Sequence, residues 1–270
     1  MINELTSLLR TYAEVLDAYG RADVSSDRDR TDKENQQIGA DQDEHYLDIG
    51  RDALRLIVSE LVANHRAQPQ SILDVPSGSG RVTRHLRAAF PTARIGACDL
   101  YESHVQFCVD TFAAEAIASA EDFDDVRINP EWDLVFCGSL LTHLPKPAAL
   151  SALRFIARAL SPTGIAIVTL EGRRGIEIHN EFYKVIEDDQ FQRIQKGYDK
   201  TGFGFADYTD RTKRLFNKQE SYGITLVKPS WVMDALENMD VRILGYTERA
   251  WDNHQDMVVF GRPGPTGLGH

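Results

Sequence analysis

At 270 residues, with 42% hydrophobic and 26% charged positions, the chain is long enough for one large α/β domain with appendages, or at most two small domains. A net charge of −11, with the basic residues scattered, argues against a nucleic-acid substrate and against an anionic membrane surface, because both are held by clustered Lys and Arg. Cys98, Cys108 and Cys137 are odd in number and form no Cys-x-x-Cys pair, so buried reduced thiols are expected rather than a disulfide framework or a zinc cluster. The first 20 residues carry Glu4, Arg10, Glu14 and Asp17 and lack a signal-peptide core. No run approaches the roughly 18 apolar residues of a membrane helix. Cytoplasmic placement without membrane insertion is the expectation.

In chain order, Ile2, Leu5, Leu8, Leu9, Tyr12, Val15, Leu16 and Tyr19 recur at helical spacing. Residues 21–44 hold few large apolar side chains and read as a mobile polar loop, followed by a helix with Leu54, Ile57, Val58 and Leu61 on one face. The N-terminal helices and their loop make up residues 1–66. A strand and helix alternation then predicts a parallel sheet covered on both faces: strands at 71–75, 94–99, 116–119, 133–137 and 164–170, helices at 81–90, 103–113 and 147–160. Ser161-Pro162-Thr163-Gly164 reads as a turn. This core covers residues 67–172. The aromatic-rich stretch 173–227 breaks the rhythm and reads as an inserted cap. A helix at 230–239 and strands at 241–246 and 257–261 close the sheet within 228–262, and 263–270 reads as a frayed tail.

The chemistry begins at Ile72-Leu73-Asp74-Val75-Pro76-Ser77-Gly78-Ser79-Gly80, a strand running into a glycine-rich turn and a helix, which brings backbone N–H groups near a ligand. A G-x-G pair alone is equally compatible with a tight structural turn. A dinucleotide fingerprint needs Gly or Ala three residues after Gly80, where Thr83 stands. Asp74 puts a carboxylate at the strand end, suited to a cationic amine and repelling a pyrophosphate. The pattern therefore favours S-adenosylmethionine over NAD, with Gly78, Ser79 and Gly80 approaching the cofactor. Asp99, with Leu100 after it, ends the next strand, where a carboxylate accepts bonds from ribose hydroxyls. Glu121 and Asp122 follow the third strand, where one acid can hold the adenine amino group; a solvated acidic loop is the competing reading.

These residues resemble the class I S-adenosylmethionine-dependent methyltransferases over roughly residues 47–262. Asp74 to Gly80 looks like the family's first motif, Asp99 its ribose acid, Asp122 its adenine-side acid, and Gly138-Ser139 its cofactor-lining loop after strand four. Pro76 and Ser77 depart from the usual residues of that turn. The resemblance implies an α/β, Rossmann-like seven-stranded sheet with an antiparallel last strand, here with N-terminal helices and an inserted cap.

Ligands meet such sheets at the carboxyl ends of the strands. There His143 is a candidate general base for a hydroxyl proton, and Asp252 and His254 can grip the acceptor, orient His143 or ligate a divalent cation. Their spacing is not diagnostic of metal, and the metal assignment stays open. Glu171 is a further orienting acid, and Tyr46, Gly50 and Arg51 can close over the methionine end of the cofactor. No Asn/Asp-Pro-Pro-Tyr follows strand four and no cysteine is placed for pyrimidine methylation, so oxygen is the expected acceptor atom. The segments 138–143, 222–224 and 251–256 resemble bacterial methyltransferases found with glycan-assembly enzymes, including the sugar O-methyltransferases of methylmannose polysaccharide synthesis. That resemblance implies a sugar or oligosaccharide acceptor. A phenolic or other natural-product acceptor is the alternative, an NAD-dependent oxidoreductase is the rival class, and a homodimer is left open.

Overall fold

The structure, a computed structural model, describes residues 2–29, 32, 43–129, 131–210 and 221–262. The expected tail and the greater part of the expected polar loop lie outside the described residues. Seven strands form one sheet in the order β3-β2-β1-β4-β5-β9-β8. The strands are β1 Ser71–Asp74, β2 Arg94–Cys98, β3 Glu115–Ile117, β4 Trp132–Cys137, β5 Leu160–Leu170, β8 Arg242–Trp251 and β9 Gln255–Gly261. A separate two-stranded sheet pairs β6 Phe203–Asp207 with β7 Gly223–Val227. The helices are α1 Ile2–Arg21, α2 Asp43–Ala63, α3 Thr83–Ala89, α4 Glu102–Phe112, α5 Lys146–Ala159, α6 Arg173–Glu181, α7 Asp188–Thr201 and α8 Pro229–Glu237. The chain divides into two compact units, Met1–Ser119 with Trp132–Phe136, and Ala120–Glu131 with Cys137–His270.

In the first unit β1 lies parallel to β2 on one side and β4 on the other, and β2 is parallel to β3. Every residue of β1 is buried, which is why it reads as a continuous apolar run and not as an alternation. The strand order reverses direction between β1 and β4, the place where such sheets open a crevice for ligands. Asp133 fixes the start of both strands: its carboxylate accepts from the N–H groups of Gln70 and Ser71, and its own N–H donates to the Ser71 hydroxyl. Helix α4 packs Val105, Cys108 and Phe112 against Ala97 and Ala114. All three cysteines are buried and free, as expected, and burial pushes the Cys98 and Cys108 thiols up to about 12.

Two expectations need correction here. The apolar stripe of α1 is only partly used: Tyr12 and Val15 are buried, whereas Leu5, Leu9 and Leu16 are exposed. The helical spacing was real, but the face in contact is narrower than the stripe. Helix α3 begins at Thr83, two residues later than predicted, because Arg81 and Val82 still belong to the turn.

In the second unit β9 runs antiparallel between β5 and β8, so β8 keeps the direction of β5 and its carboxyl end lies at the ligand face. Ser161 to Gly164, expected as a turn, lies inside β5, where Pro162 and Thr163 are exposed and the paired register starts only at Ile165. An extended chain accepts proline where no ladder N–H is required. Strands β8 and β9 are joined through Asp252 and Asn253, with φ of 53° and 51°, and His254 N–H closes the turn on the Trp251 carbonyl at 3.0 Å. Two successive left-handed residues suit the twist of a hairpin, and Asp and Asn tolerate that conformation best after glycine. The cap segment has its own core of Phe191, Ile194, Tyr198 and Leu226. Phe216 lies outside the described residues. Among the described residues no helix is long and apolar enough to cross a membrane.

Candidate functional site

The first unit carries the glycine turn. Ser77 N–H donates to the Cys98 carbonyl, tying the turn to β2, and Gly80 N–H donates to Ser77 O, each at 3.0 Å. Gly78 and Gly80 have φ of +49° and +81°, a conformation that L side chains resist. The two glycines differ in what surrounds them. A Cβ on Gly78 would enter open space, whereas one on Gly80 would stand 2.3 Å from the Phe112 ring. Packing therefore accounts for Gly80, beneath which helix α4 lies, and at Gly78 only the positive φ asks for glycine.

Asp74, 1% exposed, accepts from the Thr83 hydroxyl at 2.7 Å. The residue that breaks the dinucleotide pattern thus serves as the tether of this carboxyl. Burial pushes Asp74 up to about 7; the Thr83 hydrogen bond opposes this and the Asp99 charge adds to it. A carboxyl raised in the folded state favours folding at low pH, and that contribution is lost as pH rises from 3.8 to about 7. Urea unfolding at pH 5 and pH 8 should accordingly show a larger loss for the wild type than for Asp74→Asn.

Asp99 accepts from Gly78 N–H through one oxygen and from Tyr101 N–H through the other, each at 2.9 Å, which fixes its plane at the end of β2. A carboxylate has about four acceptor sites, so these bonds are compatible with ribose hydroxyls. Leu100 follows it, half-buried. Two residues that sequence reasoning missed complete this region. His104, on the first turn of α4, lies 3.7 Å from Asp99 and 3.9 Å from Asp32, and Asp32 accepts from the Ser79 hydroxyl at 2.7 Å. Beneath the turn the buried Arg84 donates to the carbonyls of Gly80, Ser25 and Asp27 and lies over the Tyr46 ring, as do Arg28 and Arg81. Tyr46 is therefore engaged by arginines. Gly50 meets the Arg81 carbonyl and the His85 ring, and Arg51 pairs with Asp48.

In the second unit Glu121 is exposed, and Asp122 caps a short 3₁₀ turn, Phe123–Asp125, by accepting from Asp124 N–H at 3.0 Å. Gly138 leads to Ser139, left-handed at φ 57°. Ser139 N–H donates to the Thr169 hydroxyl at 2.8 Å, Thr169 donates to Gln255, and the Gln255 amide donates back to the Ser139 hydroxyl at 3.0 Å. The loop after β4 is thus held by β5 and β9.

His143 is oriented by the cap strand β7. Its Nδ1 lies 2.8 Å from the Gly223 carbonyl, while Gly223 N–H donates back to the His143 carbonyl. A carbonyl only accepts, so Nδ1 carries the proton and Nε2 is the basic nitrogen of the neutral ring. The ring stacks on Tyr222 with centroids 4.8 Å apart, and the Tyr208 hydroxyl lies 3.4 Å from Nδ1. Gly223 tolerates no side chain, since a Cβ would stand 2.0 Å from the Ala206 carbonyl. A cavity of about 260 Å³ adjoins Tyr208, lined also by Lys184, Ile186, Asp188, Gln190 and Thr209.

His254 and Glu171 meet, Nε2 to Oε1, at 2.8 Å. The Glu171 hydrogen bond raises the imidazole pKa against the opposing effect of burial, and the charges of Glu171 and Asp252 add to the rise. Asp252 itself is exposed in the hairpin turn. Asp256, absent from the sequence-derived site, is 1% exposed and holds the β8 bulge by accepting from the Tyr246 hydroxyl and from Arg249 N–H. Among the described residues no group of three or more His, Cys, Asp or Glu is disposed to hold a metal ion.

Comparison with known proteins fits this geometry. Residues 72–164 match a family model described as a methyltransferase domain. No curated protein matches significantly. Among solved structures, an S-adenosylmethionine-dependent methyltransferase from Clostridium acetobutylicum is similar at TM-score 0.55 and 15% identity, over 79% of this chain and 92% of that one. A Burkholderia thailandensis 1,6-didemethyltoxoflavin-N1-methyltransferase, with 1,6-didemethyltoxoflavin and S-adenosylhomocysteine bound, is similar at 0.52 and 13%, over 94% and 89%. An O-methyltransferase family protein from the same organism gives 0.50 and 12%, over 98% and 73%. The fold is the α/β Rossmann-like fold of these solved methyltransferases, and residues 72–164 match a methyltransferase domain.

Proposed function

We propose that the protein transfers a methyl group from S-adenosylmethionine to a hydroxyl of a sugar or oligosaccharide. The turn supports this reading: space is open at Gly78, whose N–H donates to the Asp99 carboxylate, and Asp74 ends the strand that leads into the turn. In this reading Asp74 faces the cofactor's amino-acid end, Asp99 takes the ribose hydroxyls, Ser79, Gly80, Leu100, Gly138 and Ser139 line its path, and Asp122 or Glu121 serves the adenine. The bound cofactor supplies an electrophilic methyl group on a sulfonium.

The observation that carries oxygen as acceptor is the Nδ1 hydrogen bond of His143 to Gly223, which leaves Nε2 as the base for an acceptor hydroxyl. The His254 and Glu171 pair offers a charged donor and a carboxylate acceptor for neighbouring hydroxyls, with Asp252 at its edge. The cavity at Tyr208, whose lining includes the polar side chains of Lys184, Asp188, Gln190 and Thr209, has room for one polyhydroxylated ring. The assay is a mass-shift screen of mannosides, other glycans and phenols with S-adenosylmethionine, with and without chelator. Gain of one methyl group on a glycan, unaffected by chelator, is expected. Turnover confined to phenols or unrelated metabolites would reject the sugar.

A further inference from the structure

The glycine turn is bordered by a side-chain cluster with no place in the site derived from sequence. His104 stands between two carboxylates that come from different parts of the first unit: Asp99, at the end of β2, 3.7 Å from Nδ1, and Asp32, from the N-terminal segment, 3.9 Å from Nε2. Asp32 in turn accepts from Ser79 at the crest of the turn, and it is only 4% exposed, as is fitting for a carboxylate compensated by a hydroxyl and an imidazolium. The Tyr101 ring covers the imidazole at 5.1 Å.

We propose that His104 is a positioning residue for the cofactor: standing between Asp99 and Asp32, it sets the ribose-binding carboxylate and holds Asp32 where it accepts from Ser79 of the glycine turn. The inference rests on the cofactor reading above. The charged groups facing the imidazole are Asp99, Asp32 and Asp29. Burial alone lowers the pKa of this ring, but the nearby carboxylate of Asp99, with the charges of Asp32 and Asp29, outweighs it and the net shift is upward. The imidazolium therefore persists above the ordinary histidine range, and its loss on raising the pH removes the cation that both carboxylates share.

The test is calorimetric titration of the full chain with S-adenosylhomocysteine from pH 6 to pH 9, using wild type, His104→Gln and Asp32→Asn. Because Asp74 titrates in all three proteins, the readout is the ratio of wild-type to His104→Gln affinity, which should fall as pH rises. His104→Gln should bind about tenfold more weakly at pH 6, the scale of one charge-assisted contact, and lose most of the pH dependence. Asp32→Asn, which leaves Asp99 and α4 untouched, should reduce that dependence as well. Equal affinities for the wild type and both variants across the range would overturn the role of His104. Failure of the wild type to bind S-adenosylhomocysteine at all would instead overturn the cofactor reading, and this inference with it.

Discussion

Replacing Gly80 by alanine should abolish measurable cofactor binding and lower stability by about 2–4 kcal/mol, combining left-handed strain with overpacking. The new methyl would stand 2.3 Å from Phe112, which is buried on α4 in one cluster with Cys108 and Ala97. Relief would require α4 to move away from the turn, and α4 carries His104 while Tyr101 N–H, just before it, anchors Asp99. Gly78→Ala is the informative partner. It meets nothing within 4 Å, so only the conformational cost of about 1–2 kcal/mol is expected in stability. Its methyl nevertheless projects into the cradle and should weaken S-adenosylhomocysteine binding at least as much as it weakens folding. Thermal denaturation and calorimetry on both variants decide the matter; a Gly80→Ala protein of wild-type melting temperature and affinity would show that the turn relaxes without cost.

The second large effect is kinetic. His143→Ala should lower kcat by about 10²–10⁴-fold, the usual contribution of a positioned general base, while leaving S-adenosylhomocysteine affinity near the wild-type value. His254→Ala should act differently: its partner Glu171 would lose a cation at 2.8 Å, so KM for the acceptor should rise more than kcat falls. A His143→Ala enzyme with full kcat would remove His143 from the mechanism and direct attention to the His254 and Glu171 pair.

The parts of the fold legible in the sequence are those in which one residue type answers one local demand. The buried parallel strands announce themselves as short apolar runs, and Gly78 and Gly80 mark left-handed positions that few other residues fill. The hairpin turn at Asp252 and Asn253 has a weaker signal, since both residues are common left-handed choices but equally common in other loops. What sequence could not give is partnership across chain distance. Asp32 meets Ser79 and His104 from residues far along the chain, and Glu171 finds His254 from the opposite end of the cap. His104 was the most accessible omission: it follows Asp99 by five positions on the first turn of α4, near enough to face it, yet nothing in its own identity separates it from a surface histidine.

Strand β7 runs beside the segment Thr142–Leu144: Gly223 and Thr225 donate N–H to the carbonyls of His143 and Thr142, and the Thr225 hydroxyl donates to Leu144 O at 2.6 Å. His143 and strand β7 are therefore one hydrogen-bonded piece, not a tool with an exchangeable handle. A graft that replaced residues 173–227 wholesale would therefore have to restore the pairing at Gly223 and Thr225 to keep the His143 ring in this orientation.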